Sequence, residues 1–397
     1  MSFQNPVFIP GPTNIPEILR KACDMPTLDH RSPLFGQILH PALNGVRKVL
    51  KSGTAKIFVF PASGTGGWET AISNTLSAGD TVLVARNGMF SQRWIDMCQR
   101  HSLNVKVVET PWGDGISATA YAEILQQDKA HKIKAVLVTH NETATGVLSD
   151  IAAVRHAMDA VDHPALLFVD GVSSIASVDF RFDDWRVDVA VTGSQKGFML
   201  PAGLAIVGFS HKAMQATKTA TLPRTFFDVH DMAQGYAKNA YPYTPAVGLL
   251  NGLKHSCDML LDEGLENVFA RHHRIAQGVR CAVQAWGMEL CASDPSIYSD
   301  TVSAIKTPAN FNATDIVTLA AEKYGVAFGV GLGDVAGKVF RIGHLGSLTD
   351  VMTLSGLATA EMCMVDLGLP VQLGSGVAAA QQYYRNHTMI EQKVAAE

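Results

Sequence analysis

The feature of this sequence that most constrains its fold is a regular alternation of two kinds of segment between residues 55 and 210. Short, nearly continuous apolar runs are separated by longer amphipathic stretches, and such runs are typical of parallel strands buried on both faces. The predicted strands are Lys56–Phe60, Thr81–Ala85, Val105–Glu109, Ala135–Thr139, Ala165–Val169, Val187–Thr192 and Leu204–Gly208. The predicted helices are Trp68–Leu76, Phe90–His101, Tyr121–Asp128 and Ile151–Val161. This β-α-β-α order predicts an α/β fold with a mostly parallel sheet that is covered by helices on both faces.

The remainder of the chain predicts a second, smaller α/β domain, because 397 residues are too many for one compact core. Two segments rich in proline and aromatic residues, Leu222–Phe227 and Tyr241–Pro245, are predicted to be ordered loops. The further predicted elements are a long helical stretch at Val247–Trp286, strands at Thr301–Lys306 and Lys338–Ile342, and helices at Asn312–Tyr324 and Asp350–Leu367.

These patterns divide the chain into four predicted parts. They are an N-terminal extended segment (residues 1–20), a large domain (21–258), a small C-terminal α/β domain (259–370) and a tail (371–397). The tail has little periodicity, so we expect it to lie over the surface or against a partner.

Composition excludes several classes of function. The net charge of −4 gives no indication of a nucleic-acid or membrane partner. The six cysteines form no C-x-x-C pair and the 14 histidines form no H-E-x-x-H motif, so no metal site or disulfide framework is expected. The sequence has neither an apolar run of about 18 residues nor a signal-peptide pattern at its start, which predicts a cytoplasmic protein.

A glycine-rich segment, Pro61–Glu69, follows a predicted strand and opens a predicted helix. Glycines let backbone N–H groups approach an anion, and the helix N-terminus adds positive potential, so a phosphate group is the expected ligand. The spacing matches neither a Walker loop nor a G-x-G-x-x-G dinucleotide motif. Many strand–helix junctions use glycines only for a tight turn, and that alternative stays open here.

Two neighbouring predicted strands end near residues whose side chains could take part in a reaction. Asp170 follows the run Ala165–Val169, and Lys196 follows Val187–Thr192 after a few small polar residues. Carboxyl ends of parallel strands meet at the same edge of a sheet, where α/β proteins bind ligands. Such a pair suits pyridoxal 5'-phosphate (PLP), since the lysine can form a Schiff base and the acid can keep the pyridine nitrogen protonated. Taken singly, each residue favours the structural interpretation, a helix-capping acid for Asp170 and a surface lysine for Lys196.

The order of the motifs along the chain decides between these interpretations. A glycine-rich loop, an aromatic residue (Phe90), a hydroxyl cluster at His140–Gly146, Asp170 and Lys196 follow one another. In this order the sequence resembles the fold-type I, class V PLP-dependent aminotransferases, in particular the group that uses glyoxylate. The resemblance extends from Ile9 to Ala380, and its most specific stretches are His140–Val147, Asp170–Ser174, Gly193–Lys196 and Val339–Gly346.

The resemblance implies a role for each matching residue. Lys196 would be the Schiff-base lysine, and Asp170 would pair with the pyridine nitrogen. The residues matching the remaining cofactor contacts are Val172 and Phe90 on the two ring faces, Thr143 at the phenolic oxygen, Gln195 beside the cofactor, and Thr65, Gly66 and Gly67 at the phosphate. Tyr241 and Thr244 match a pair that reaches the phosphate from the neighbouring subunit, which implies a homodimer with a shared site.

The resemblance also implies the substrates. Arg341 matches the arginine that binds the substrate α-carboxylate, and an arginine in an apolar strand is costly unless an anion accompanies it. A structural salt bridge is the alternative for Arg341. The reaction implied is transfer of the amino group of an L-amino acid to glyoxylate, giving glycine and a 2-oxo acid, with ping-pong kinetics.

The amino donor is less constrained by the sequence. Gly67 and Phe90 stand where the alanine-using branch has histidine and tryptophan, which favours aspartate, with oxaloacetate as product, or alternatively serine. Arg31 and Arg93 are candidates for binding the second carboxylate of aspartate, and either one also fits a structural role. His344 lies near Arg341 and is more typical of a core histidine.

Two other functions were compatible with parts of the sequence. A lyase on the same fold is the first, although the stretch Gly325–Lys338 lacks the cysteine that a cysteine desulfurase requires. A nucleotide-binding module that uses the glycine-rich loop is the second. The second alternative leaves Asp170, Lys196 and Arg341 without a role.

Overall fold

The structure is a computed structural model that describes residues 6–388. Its strands are β1 Val7–Phe8, β2 Lys56–Ala62, β3 Thr81–Arg86, β4 Asn104–Glu109, β5 Ile133–Thr139, β6 Asn141–Glu142, β7 Val147–Leu148, β8 Leu166–Asp170, β9 Val189–Gly193, β10 Gly203–Phe209, β11 Val302–Lys306, β12 Ala327–Val330 and β13 Val339–Gly343. Its α-helices are α1 Glu17–Cys23, α2 Gly36–Val49, α3 Gly64–Thr75, α4 Met89–Arg100, α5 Ala118–Gln127, α6 Ile151–Ala160, α7 His211–Ala216, α8 Val229–Ala237, α9 Val247–Glu263, α10 Leu265–Ala285, α11 Ala313–Tyr324, α12 Asp350–Asp366 and α13 Ser375–Asn386.

A seven-stranded sheet forms the centre of the large domain, with the strand order β2-β10-β9-β8-β5-β3-β4. All of its pairings are parallel except those of β10, which is antiparallel to both of its neighbours. Every residue of β8 and β9 is buried, as expected for central strands covered on both faces. The α/β class and the mostly parallel sheet predicted from the sequence are therefore confirmed.

A second sheet, with the order β1-β12-β13-β11, carries the smaller domain. Its edge strand β1 comes from the N-terminal segment, where Val7 and Phe8 pair with Ala327 and Phe328. Within the predicted extended segment (residues 1–20), only Val7 and Phe8 join this sheet, and the end of the segment is helical because α1 begins at Glu17. Residues 1–5 lie outside the described part. Phe8 is buried in the second apolar core, whose other members begin at Ile275.

The predicted helical stretch Val247–Trp286 is two helices rather than one. Gly264 separates α9 from α10 and has a φ of 83°, a left-handed conformation that glycine adopts without steric cost. Along α10, Val268 belongs to the core of the large domain and Ile275 to the core of the small one. The domain boundary placed at residues 258 and 259 from the sequence stays a prediction.

The predicted C-terminal tail, in which the sequence showed little periodicity, contains a helix, α13, which packs on α10. Gly376, Ala380 and Tyr384 are buried, and the Tyr384 hydroxyl donates a hydrogen bond to Ile275 O at 3.0 Å. The spacing of these three residues is helical, but glycine and alanine are too weakly apolar to show a hydrophobic period. Residues 389–397 of the predicted tail lie outside the described part of the chain.

The region between residues 210 and 247 contains two helices that the sequence did not predict, α7 and α8. Asp228 begins α8 by accepting hydrogen bonds from the N–H groups of His230 and Asp231. The predicted loops Leu222–Phe227 and Tyr241–Pro245 contain neither helix nor strand, as expected. Of the helices between residues 6 and 388, none combines the length and the apolar character that crossing a membrane requires.

Candidate active site

A pocket lies at the carboxyl edge of the central sheet, where β8 and β9 end and α3 begins. It is lined by Ser63, Gly64, Thr65, Trp68, Phe90, Thr143, Asp170, Val172, Ser173, Gln195 and Lys196. Seven of the residues predicted from the sequence therefore meet in one place, although they come from five separate segments of the chain. Binding at this edge is the general behaviour of open α/β sheets.

Asp170 is the last residue of β8 and is only 5% exposed. Its Oδ1 accepts a hydrogen bond from the Val172 N–H at 3.0 Å. Burial raises the pKa of Asp170 to about 7, the Val172 N–H opposes that shift, and the carboxylate of Glu142 adds to it. A buried carboxylate of this kind gains most from a cationic N–H partner, which a protonated pyridine nitrogen would supply.

Lys196 follows β9 and is 8% exposed, facing the same pocket. Its Nζ donates hydrogen bonds to Ser173 Oγ at 3.1 Å and to the Pro10 carbonyl oxygen. Burial and the positive charge of Arg341, opposed by Asp170, together lower the pKa of Lys196 to about 8. Because a neutral amine is the nucleophile, this shift favours attack on a carbonyl carbon.

A short chain of hydroxyl groups leads to the lysine. Thr143 Oγ1 donates to Ser173 Oγ at 2.6 Å, and Ser173 Oγ also accepts from Lys196 Nζ. Thr143 was predicted as a site residue and Ser173 was not. Ser173 lies beside Val172 in a stretch recognised as family-specific, but only the folded chain shows which serine faces the lysine.

The glycine-rich segment forms the first turn of α3. The predicted start of this helix at Trp68 was too late, because α3 begins at Gly64 with Ser63 as its N-cap. The Ser63 side chain makes no capping hydrogen bond, so the N–H groups of Gly64, Thr65 and Gly66 have no hydrogen-bond partner within the helix. This arrangement is suited to binding a phosphate group.

The three predicted phosphate residues differ in their surroundings. Thr65 lines the pocket, and Gly66 follows it in the first turn. The Gly67 N–H instead donates to Ser63 O at 3.1 Å, and a Cβ on Gly67 would lie 2.5 Å from Val191 Cγ1. Gly67 therefore lacks a side chain because α3 packs closely on the sheet.

Arg341 lies on β13 and is buried, at 6% exposure. Its Nε donates to Val330 O at 2.8 Å and its Nη1 donates to Thr143 O at 2.9 Å. No carboxylate within residues 6–388 lies at ion-pair distance, so the structural salt bridge considered from the sequence is absent there. Burial lowers the pKa of Arg341 to about 10, against the opposing charge of Glu142. Arg341 is not among the residues that line the pocket, but it bonds to Thr143, which is, and its guanidinium has the charge and planar geometry that bind a carboxylate.

Tyr241 and Thr244 do not line the pocket of their own subunit. Tyr241 is buried, and its hydroxyl donates to Val59 O at 2.9 Å. Thr244 is exposed. A contact of these residues with a neighbouring subunit stays a prediction.

The remaining candidates have clear surroundings. His344 is buried, with Nε2 at 3.0 Å from Ser303 Oγ and Nδ1 at 3.1 Å from Asp300 O, so it is a satisfied core histidine. Arg31 is exposed, away from the pocket lining. The guanidinium of Arg93 lies 5.4 Å from the centre of the Phe90 ring, in a groove next to Thr65.

Glu142 is a buried acid beside the pocket to which the sequence reasoning assigned no role. It is 0% exposed and lies between His140 and Thr143, in a segment interpreted as a hydroxyl cluster. Burial raises the pKa of Glu142 above its usual range, and backbone N–H groups oppose that shift. A charged residue in a polar loop is ordinarily exposed, so the sequence carried no signal for its burial.

Comparison with known proteins agrees with this geometry. Residues 24–340 match the family described as aminotransferase class V. The chain is 72% identical over 396 residues to the L-aspartate–glyoxylate aminotransferase of Paracoccus denitrificans (strain Pd 1222), with 100% of each sequence covered. It is 52% identical over 380 residues to the serine–glyoxylate aminotransferase of Hyphomicrobium methylovorum, covering 95% of this chain and 94% of that protein.

A solved structure supports the same relationship. The pyridoxamine–pyruvate aminotransferase from Mesorhizobium loti superposes with a TM-score of 0.91 at 28% identity, covering 97% of this chain and 98% of that one. The family resemblance and the fold class predicted from the sequence are confirmed.

Proposed function

This chain belongs to the class V aminotransferase family, and we propose that it transfers the amino group of L-aspartate to glyoxylate, giving oxaloacetate and glycine. The observation that carries the proposal is the pair Asp170 and Lys196, buried together at neighbouring strand ends of one pocket. The choice of aspartate is supported by the 72% identity to an L-aspartate–glyoxylate aminotransferase over the full length of both chains.

Pyridoxal 5'-phosphate is the proposed cofactor, and the pocket fits it. Gln195 Oε1 is buried and has no hydrogen-bond partner within residues 6–388, which leaves it free for a polar ligand. The first-turn amides of α3 at Thr65 and Gly66 would hold the phosphate, and Val172 and Phe90 would contact the ring faces. When bound, the cofactor supplies an electron sink for negative charge at the substrate Cα atom.

The chain's own residues perform the remaining work. Lys196 would hold the cofactor covalently and, once released by the incoming amine, would move the proton at the substrate Cα atom as general base. Asp170 would keep a proton on the pyridine nitrogen. Arg341 would bind the α-carboxylate and so orient the Cα–H bond toward Lys196. Because donor and acceptor would use one site in turn, ping-pong kinetics are expected.

A homodimer is part of the proposal. Thr244 is exposed and is free to reach a second copy of the chain, whereas the Tyr241 hydroxyl would first have to leave its bond to Val59 O. Thr244 is therefore the better supported member of the pair that would complete the neighbouring phosphate site.

Serine is the alternative amino donor, supported by the 52% identity to a serine–glyoxylate aminotransferase. Its smaller side chain would not need a second cationic group. Arg31 and Arg93, the candidates for binding the distal carboxylate of aspartate, would then have structural roles only.

The test is a coupled assay of the PLP-loaded protein with glyoxylate and a panel of L-amino acids, in which glycine formation is measured for each donor. Aspartate giving the highest kcat/KM supports the proposal, and serine giving the highest value supports the alternative. Lys196→Ala serves as the matched negative control. A protein that binds PLP visibly but forms no glycine from any donor would contradict the aminotransferase assignment.

A further inference from the structure

The carboxylate of Glu142 connects two parts of the active site that are distant in sequence. Its Oε2 accepts hydrogen bonds from the Phe90 and Ser91 N–H groups, both at 3.0 Å. Its Oε1 accepts from the Ala144 N–H at 3.0 Å. The side chain thus joins the first turn of α4, which carries Phe90, to its own segment, which carries Thr143.

The Glu142 side chain lies so close to Gly88 that position 88 has no room for a side chain. A Cβ on Gly88 would lie 2.2 Å from Glu142 Cγ and 2.3 Å from Cδ, so any side chain there would displace the acid. The φ of Gly88 is 172°, which every residue tolerates, and space rather than backbone strain therefore requires glycine. The stem of Glu142 packs directly on the backbone that leads into α4.

The segment around Glu142 is also tied to the reacting groups. Thr143 O accepts from Arg341 Nη1 at 2.9 Å, and Thr143 Oγ1 leads through Ser173 to Lys196. A shift of this segment would therefore move Phe90, Arg341 and the lysine's hydroxyl partner relative to one another.

We propose that Glu142 is a positioning residue of the active site, which holds Phe90 in register with Thr143 and Arg341 while its negative charge balances Arg341 and Lys196. The inference deepens the proposed function and rests on it. Glu142 is not a catalytic residue in this scheme, because it does not line the cofactor pocket.

The negative charge of Glu142 changes the pKa of Lys196 in a definite direction. Burial lowers the pKa of Lys196 most. Of the charged groups that face Lys196, Arg341 also lowers this pKa, whereas Asp170 and, to a smaller extent, Glu142 raise it. Removing that charge should therefore make the Lys196 nitrogen easier to deprotonate. When PLP is bound through Lys196, its visible absorbance reports the proton on that nitrogen, so the shift can be read spectroscopically.

The experiment compares Glu142→Gln with the matched control Glu361→Gln. Glu361 is also a buried acid that accepts hydrogen bonds from the start of another helix, but in the small domain. Its partners are the Gly374 and Gly376 N–H groups at the start of α13 and Trp286 Nε1 at 2.9 Å. Both variants are loaded with PLP. Thermal unfolding, the pH titration of the visible absorbance, and kcat and KM are then measured for each.

We expect both variants to lose thermal stability, because glutamine places an NH2 donor where one carboxylate oxygen accepted hydrogen bonds from buried N–H groups. Only Glu142→Gln should lower the titration midpoint and reduce kcat, by up to about 10²-fold if the reacting groups move by about 1 Å. An unchanged midpoint and kcat in Glu142→Gln would overturn the inference. Equal changes in both variants would also overturn it, because they would reflect stability alone.

Gly88→Ala separates geometry from charge and remains informative if Glu142→Gln does not fold. The added Cβ displaces Glu142 and keeps its charge, so kcat should fall while the titration midpoint moves less than in Glu142→Gln. A kcat equal to that of the unmodified protein would contradict the positioning role. If the unmodified protein itself neither binds PLP nor forms glycine, the proposed function fails, and that outcome is distinct from either result.

Discussion

Replacing Lys196 with methionine in the cofactor-free protein is expected to stabilise the fold by an amount that depends on pH. Burial lowers the pKa of Lys196 from 10.5 to about 8, so the folded chain holds a lysine whose protonated form is disfavoured. Each pKa unit corresponds to about 1.4 kcal/mol, so the charged amine costs about 3 kcal/mol of folding stability near neutral pH. Methionine removes the charge and keeps an unbranched side chain of similar length.

The sign of the pH dependence follows from proton binding. Between the folded pKa of about 8 and the unfolded value of 10.5, the unfolded chain binds more protons at this position, so stability rises with pH. The advantage of Lys196→Met should therefore be greatest below the folded pKa and shrink as the pH rises toward 10.5. From about pH 7 to about pH 10 it should fall by about 2.5 kcal/mol.

Urea unfolding of both proteins at a series of pH values measures this difference directly. Lys129→Met, at an exposed position, controls for the loss of a surface charge. A stability difference between Lys196→Met and the unmodified protein that stays constant with pH would refute the reasoning. It would show that the Lys196 amine is not perturbed by burial and is not primed for attack on a carbonyl group.

Three further predictions concern separate contacts. Ser173→Ala removes the hydroxyl that accepts a hydrogen bond from Lys196 Nζ. Because hydrogen bonds to charged groups contribute about 1.5–3 kcal/mol, kcat in steady-state assays should fall by about tenfold or more. An unchanged kcat would contradict the role of the hydroxyl chain. Arg341→Lys loses the planar fork, so KM for the amino-acid donor should rise by about tenfold or more, whereas KM for an amine that has no α-carboxylate should not change. A KM for the amino-acid donor equal to that of the unmodified protein would exclude the assigned contact. Gly278→Ala places a Cβ 2.2 Å from Tyr384 Cζ and should lower the free energy of unfolding by about 1–3 kcal/mol. A denaturant midpoint equal to that of the unmodified protein would show that α13 does not pack on α10 this tightly.

Local patterns in the sequence were sufficient to predict the seven strands of the large domain's sheet. Each predicted strand from Lys56–Phe60 to Leu204–Gly208 overlaps an observed strand, because a short, nearly continuous apolar run is itself the mark of a buried strand. Asp170 and Lys196 were placed at neighbouring strand ends by the same logic, and the structure brings both into one pocket.

Weak or ambiguous patterns accounted for the errors. The helix α13 was missed because its buried face contains Gly376 and Ala380, whose apolar character is slight. The start of α3 was placed too late because its glycines have low helix propensity, although tertiary packing on the sheet overrides it.

The sequence alone determined the alternation of strands and helices, the α/β class and the family to which Lys196 and Asp170 point, since these depend on residues close together in the chain. Only the tertiary structure decided that β1 joins the small domain's sheet, that Arg341 is held by carbonyl groups, and that Glu142 bonds to the first turn of α4. The β1–β12 pairing, the Arg341–Thr143 hydrogen bond and the Glu142 hydrogen bonds to α4 each join segments separated by 50 residues or more. The physical reason is that burial and hydrogen bonding depend on which surfaces meet after folding, and no local pattern of residues records that pairing.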